Sequence, residues 1–310
     1  MECGHQLFID NGRSATATMS FMTSLFAPVA AIYAAEDIRL ELAEVFVWDT
    51  PDPYRGIESS SDVLNAYEAR NPLSGRSADL AHLVSSQNFN RGGIAYLDRL
   101  CKPNRQFNIG FSEIFTTFRE LPIYSWSVGV LAHELGHNLG SPHTHNCNWP
   151  GGAIDGCAPT FDASLAEGTC ALPPLPVKGT VMSYCHLLQN VGIDLTLGFG
   201  PLPGALIRDR VAKGTCLAAR SCLCPAPRDV VITELGAQIQ INWSTADATI
   251  TSLRIEIFNA TTGQFQLVKE ASSLPTTIDT PTGEVVYRFT AACSDGAANS
   301  ATRRFRATGV

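Results

Sequence analysis

Residues 133–143 constrain this chain more than any other stretch. They read His133-Glu134-Leu135-Gly136-His137-Asn138-Leu139-Gly140-Ser141-Pro142-His143. On a helix, His133 and His137 sit four positions apart and face the same way. Glu134 lies beside them. Gly140 can take the left-handed backbone that ends a helix, and the turn returns His143 towards the same point. Three neutral imidazoles fill three of zinc's four positions and leave the fourth to water, the arrangement of a catalytic rather than a closed structural site. The full pattern H-E-x-x-H-x-x-G-x-x-H is far more specific than its five-residue core. The bland alternative, a helix of histidines packed in a core, would have to reproduce every one of these spacings by chance. His145 competes as a ligand two residues on; the spacing favours His143 and leaves His145 beside the site or at the surface.

The chain has 310 residues, 45% hydrophobic and 16% charged. That is ample for a packed core and makes two domains likelier than one. Its formal net charge of -7 points away from nucleic acid. Of ten cysteines, eight fall between Cys101 and Cys224, around the histidine motif. With histidines available as ligands, disulfides are the better use of these thiols, which implies an oxidising, extracellular compartment. No membrane span is expected: the apolar stretch 21–35 contains Pro28 and is short for a bilayer. The polar, acid-containing residues before it are unlike a signal peptide, so a folded helix is expected there.

Along the chain, periodicity predicts a helix over 14–35, a strand over 38–48 with a bulge after Leu42, and a serine-capped helix over 59–69. Strands follow at 80–84 and 107–114. Gly93, Ile94, Ala95, Tyr96 and Leu97 have two readings: a core strand, or a sheet edge that could pair with an extended peptide. Ser125 begins the helix of the motif, with Trp126, Val130 and Leu131 expected on its core side. The glycine- and proline-rich stretch 147–170 reads as an irregular cross-linked region. Met182 is core filler or a tight turn beneath the metal. A helix over 203–213 and three cysteines (Cys216, Cys222, Cys224) close the first domain, 1–224. Pro225-Ala226-Pro227 reads as a linker. Six strand candidates follow, at 230–233, 238–243, 252–258, 264–269, 285–291 and 302–307. Their turn-separated spacing suggests a β-sandwich over 225–310.

Together with Val181-Met182-Ser183-Tyr184, the 133–143 motif resembles the metzincin zinc endopeptidases. Ala81-His82-Leu83-Val84, the stretch from Gly93 to Leu97, Cys101 and the cysteine-flanked segment after the motif resemble the secreted adamalysin (reprolysin) group. Thr144 departs from that group, which usually carries Asp there. Met182-Ser183-Tyr184 is closer to the astacin and serralysin turns, in which the tyrosine can reach the zinc. Residues 226–310 resemble a fibronectin type III domain, with Trp243 as its core tryptophan and Asp295-Gly296 as a late turn.

The resemblance implies an α+β architecture: an α/β/α catalytic domain with a mixed sheet, its first strand expected to be missing, followed by an all-β immunoglobulin-like sandwich. It implies His133, His137 and His143 as zinc ligands, Glu134 as general base, Met182 beneath the metal, and Tyr184 as a group that donates to the oxyanion or reaches the metal. It implies protein or peptide substrates, an edge strand formed by the stretch from Gly93 to Leu97, and an apolar pocket past the zinc with Leu187 or Leu188 in its wall. His82 and His186 read as structural. Related enzymes often hold calcium (Ca2+), yet no acidic loop here specifies a site. The sandwich could take an extracellular ligand. The competing reading is an inactive metalloprotease-like adhesion protein, and the intact Glu134 favours the enzyme.

Overall fold

A computed structural model describes residues 1–74, 78–87, 92–217, 228–244, 250–259, 262, 264–271, 273–293 and 298–306. The chain divides into two compact units. The first comprises Met1–Ala30, Glu41–Leu195 and Phe199–Ala218; the second comprises Ala31–Leu40, Thr196–Gly198 and Ala219–Val310.

The first unit is built on a mixed five-stranded sheet, order β2-β1-β3-β5-β4. Its strands are β1 (Glu2–Cys3), β2 (Phe46–Val47), β3 (Ala81–Ser85), β4 (Gly93–Ala95) and β5 (Ile109–Glu113). All neighbours are parallel except β4, which runs antiparallel to β5 at the edge. β3 is buried along its whole length, as a central parallel strand covered on both faces should be. The helices are α1 (His5–Asp10), α2 (Ala15–Ala34), α3 (Ser60–Ala69), α4 (Trp126–Asn138), α5 (Cys157–Phe161) and α6 (Pro201–Ala212).

Ser59 caps α3 as expected, its side chain accepting from the Asp62 N–H. Val63, Leu64 and Tyr67 of α3 pack on Leu83, Ile109 and Phe111 of the sheet. The alternate positions of β4 and β5 are small. Gly93 pairs with Ser112, and Ala95 with Gly110. That face lets α4 approach closely: a Cβ on Gly93 would lie 2.6 Å from Glu134 Cγ. Asn138, at the end of α4, donates to the carbonyls of Tyr96 (2.8 Å) and Ile109 (2.9 Å) and so ties the helix to both strands.

Several expectations change. The strand predicted over 38–48 shrinks to Phe46–Val47, because its only partner, β1, offers two residues in register. β1, Glu2–Cys3, lies between β2 and β3 in the sheet; two residues carry no alternation to read. α2 is long and apolar enough, by length and composition, to cross a membrane. Met22, Leu25, Phe26 and Val29 are nonetheless buried within the fold. Trp126 is half-buried instead of in the core, and its indole N–H donates to the Glu113 carbonyl. In α6 Ile207 is buried, whereas Leu206 and Val211 are only partly so.

Disulfides join Cys101–Cys216, Cys147–Cys170 and Cys157–Cys185. Cys3 is a buried free thiol. Cys222, Cys224 and the predicted linker Pro225-Ala226-Pro227 lie outside the described residues.

The second unit contains β6 (Arg228–Leu235), β7 (Gln238–Ser244), β8 (Ile250–Asn259), β9 (Gln264–Ala271), β10 (Thr276–Asp279), β11 (Glu284–Cys293) and β12 (Ala298–Arg306). They form two antiparallel sheets, β10-β7-β6 and β12-β11-β8-β9. Alternate residues Ile239 and Ile241, Leu253 and Ile255, and Tyr287, Phe289 and Ala291 make one buried cluster with Ile278, the period-2 pattern of strands with one buried face. On the other face of β8 and β11, Arg288 grips Glu256 through two bonds of 2.8 and 2.7 Å. β10 has no counterpart among the predicted strands; four residues are too few to announce themselves. The Trp243 side chain and Asp295-Gly296 lie outside the described residues.

Candidate active site

α4 carries His133, Glu134 and His137, and it ends where Gly140 demands. Gly140 sits at φ +101. Its N–H bonds to the His137 carbonyl (2.9 Å), and the Ser141 N–H reaches back to the Gly136 carbonyl (3.0 Å). This pair of bonds is a Schellman stop, which favours glycine at the left-handed position. The turn also sets the second histidine: the Ser141 carbonyl lies 2.7 Å from His137 Nδ1. The chain then returns with His143, whose own carbonyl accepts from Trp149 Nε1 at 2.7 Å.

Each of the three histidines has its Nδ1 on an acceptor. His133 Nδ1 lies 2.8 Å from the Val181 carbonyl, and His143 Nδ1 lies 2.5 Å from Glu167 Oε1. Carbonyl oxygens only accept. The Glu167 carboxyl is partly buried, which opposes its charge, but bonds from His143, His145 and Asn146 outweigh this and hold it below the usual carboxylate range. Every Nδ1 therefore carries a proton, which in a neutral ring leaves Nε2 as the lone pair. Burial, followed by the neighbouring histidines, lowers His133 well below its ordinary value; burial and then His143 lower His137 to about 3. The His133 and His137 rings are thus neutral and able to ligate at pH 7.

The three ligand atoms lie within 4.8 Å of one another. His137 Nε2 and His143 Nε2 are 3.1 Å apart. A tetrahedral zinc with bonds of about 2.0 Å would hold its nitrogen ligands about 3.3 Å apart. The donor set thus fits a zinc ion in kind, number and spacing.

Glu134 is buried, and burial pushes its carboxyl well above the usual range. Its Oε2 has no hydrogen-bond partner among the described residues. Such a buried polar atom is costly unless something else meets it.

Met182 is fully buried. A Cβ on Gly136 would lie 2.7 Å from its Sδ and 2.9 Å from Phe199 Cε1, so the glycine between the two helix histidines is the space the methionine fills. The same turn presents the Val181 carbonyl to His133 and the Met182 carbonyl to Thr144, whose N–H and hydroxyl both bond to it (3.1 and 3.2 Å). Thr144, the departure noted in the sequence, thereby ties the segment of the third histidine to the methionine turn. The Tyr184 ring packs 4.6 Å from His143 and 5.9 Å from His133, centre to centre. Burial, and then Glu134 and Glu167 nearby, raise its phenol to about 12, so it is a neutral donor.

β4 is the outer edge of the sheet. Gly92, Ile94 and Tyr96 take the inward bonding positions against β5, which turns the backbone groups of Gly93 and Ala95 outward. Tyr96 and Leu97 lie past the end of the strand. The Tyr96 hydroxyl bonds to Glu68 on α3, and Leu97 is exposed. Leu188 packs on Cys157, Cys185 and Val191, and Leu187 is half-buried. His82 is buried with its Nε2 on Ser112 Oγ, and His186 lies edge-on to Trp126 and Tyr184.

Glu167 is the site residue that sequence reasoning missed. It stands 24 residues after His143, in a stretch without periodicity. The signal that could have found it is the cysteine pair around it: Cys147–Cys170 folds that stretch back beside the motif.

Among solved structures, the chain is similar to OgpA from Akkermansia muciniphila, at 13% identity over 93% of this chain and 87% of that one, with a TM-score of 0.35. It is also similar to a fibronectin type-III domain of a human protein, at 20% identity over 30% of this chain and 94% of that one, TM-score 0.25. A match to the pectate lyase Pel3 from Pectobacterium carotovorum, at 12% identity and TM-score 0.21, covers 26% of either chain. At these scores the site must be read from its own geometry. The sequence itself matches the reprolysin-type model of metallo-peptidase family M12 over residues 3–174. That span exceeds half the chain and holds His133, Glu134, His137, His143 and Glu167, and the chain belongs to metallo-peptidase family M12.

Proposed function

We propose that this chain is a secreted zinc endopeptidase with Glu134 as its general base. The observation that carries the reading is the convergence of one ring nitrogen each from His133, His137 and His143 within 4.8 Å of one another, together with the adjacent buried Glu134, whose Oε2 has no hydrogen-bond partner among the described residues. His133, His137 and His143 would hold the ion, with Met182 packed beneath. When bound, zinc supplies a Lewis acid that polarises water and the scissile carbonyl.

The chain's own groups do the rest. Gly93 and Ala95 align an extended substrate by pairing with its backbone. Glu134 accepts the proton of the attacking water and delivers it to the leaving nitrogen. Burial raises its proton affinity, which suits a group that must take a proton and later give it up. Tyr184 donates its phenolic hydrogen to the oxygen that gains charge. Leu187 and Leu188 favour an apolar side chain after the cut bond; a peptide-library profile dominated there by charged residues would contradict this.

Three disulfides in the first unit support an oxidising compartment and hence secretion. Calcium stays outside this reading. For 225–310 we propose a fibronectin type III-like module, supported by its three- and four-stranded antiparallel sheets. The catalytic residues all lie within 1–224, the proposed catalytic domain.

The test is cleavage of casein and of a peptide library by the wild-type chain and Glu134→Ala, with and without a chelator. Loss of cleavage in both treatments is expected. Activity that survives either would overturn the mechanism.

A further inference from the structure

Glu167 belongs to none of the roles above, yet it is the most constrained carboxylate near the histidines. Its Oε1 accepts from His143 Nδ1 at 2.5 Å, and its Oε2 accepts from Asn146 Nδ2 at 2.9 Å. His145, buried and stacked on the His143 ring with centroids 4.9 Å apart, brings its Nε2 to 3.6 Å from the same Oε1. The backbone is fixed too. The Glu167 carbonyl accepts from the Cys147 N–H at 2.9 Å, and Asn146 and Glu167 form an isolated parallel bridge. Gly168 follows at φ +96, where a Cβ would sit 3.0 Å from the Cys147 Cβ. The Cys147–Cys170 disulfide closes the segment two residues later.

The other two histidines are oriented by main-chain carbonyls, those of Val181 and Ser141. These belong to a buried turn and a helix stop. His143 lies past the helix, and its orienting group is a side chain from a loop with little regular structure. Something must hold that loop, and the disulfide is in place to do so.

His143, His145 and Glu167 could also be read as a second cation site. The 2.5 Å between Nδ1 and Oε1 argues otherwise. It is direct hydrogen-bond contact, whereas ligands of one tetrahedral zinc would stand about 3.3 Å apart.

We infer that Glu167 is the positioning residue for the third zinc ligand, and that the Cys147–Cys170 disulfide holds it there. The inference rests on the zinc reading above. Glu167 accepts from His143 Nδ1 and so fixes the orientation of the ring. Partners of this kind typically govern metal affinity by about 10- to 100-fold. Glutamine cannot replace it cleanly. An amide that turns its oxygen to His143 meets the Asn146 amide with its own NH2, and the flipped amide loses His143.

The test measures zinc affinity by competition with a chromophoric chelator, and the visible spectrum of the cobalt(II) form. The full chain is compared as wild type, Glu167→Gln, Glu167→Ala, Cys147→Ser/Cys170→Ser, and the combined triple variant. Wild-type binding of one zinc, abolished in His143→Ala, checks the zinc reading by itself; its failure is a failure of that reading. Given that binding, zinc affinity should fall about 10-fold in Glu167→Gln and up to about 100-fold in Glu167→Ala, with an altered cobalt spectrum. The triple variant should lose little more than the worse of its parents, because both changes act on one contact. Wild-type affinity and spectrum in Glu167→Ala would overturn the positioning role. Fully additive losses in the triple variant would overturn the part given to the disulfide.

Discussion

Gly93 and Glu134 are forty-one residues apart and fit together to within one carbon. A Cβ on Gly93 would lie 2.6 Å from Glu134 Cγ and 2.7 Å from its Oε1. The edge strand therefore packs directly on the proposed base. Gly93→Ala should displace the carboxylate and lower kcat/KM about 100-fold, the scale of loss from a shift of roughly 1 Å in a catalytic group. Zinc content should not change; a variant with wild-type kcat/KM would show that Glu134 tolerates the displacement. A second effect belongs to the buried imidazoles. Burial holds His82 and His137 neutral down to about 3, while an unfolded histidine takes its proton near 6.5. Between these values the unfolded chain binds more protons, so stability falls as pH falls. Urea unfolding of the metal-free protein should show a lower midpoint at pH 5 than at pH 7. Equal midpoints would mean that these rings are not buried in neutral form.

At the level of elements, what was legible followed regular period and cap chemistry. The serine cap of α3, the span of α2 and the glycine that ends α4 were all readable because each rests on local backbone physics. The two-residue strands β1 and β2 and the four-residue β10 were not, since pairing in register, and not any pattern of their own, makes them strands. The three histidines and Glu134 were legible through spacing alone. Glu167 was not, because its place depends on a disulfide partner chosen in three dimensions. Thr144 likewise looked like a departure, and its purpose appeared only with the Met182 carbonyl in view. Thr144→Val keeps the N–H bond to that carbonyl and removes the hydroxyl bond. It should cost about 1 kcal/mol of stability, the usual net worth of one such bond. A denaturation midpoint equal to wild type would show that the hydroxyl does not hold the methionine turn.

For the whole molecule, the three described disulfides all fall in the unit that carries the histidines, and they close loops of very different length. Cys101–Cys216 spans 115 residues, Cys147–Cys170 spans 23 and Cys157–Cys185 spans 28. Loop-closure entropy assigns about 4–5 kcal/mol to the first and about 3 kcal/mol to each of the others. Replacing Cys101 and Cys216 by serine should therefore lower the denaturation midpoint most. The opposite order would mean that the short loops, which lie beside the site, also carry enthalpic strain or support. The histidine centre makes the strongest demand on the molecule, since it gathers three imidazoles with two of their ring nitrogens 3.1 Å apart, a spacing that suits a shared cation. Titrating zinc into the metal-free chain while following peptide hydrolysis tests that demand most directly. Hydrolysis should be absent at the start, rise linearly and level off at one zinc per chain. Hydrolysis by the metal-free chain, or none after zinc is restored, would contradict the account.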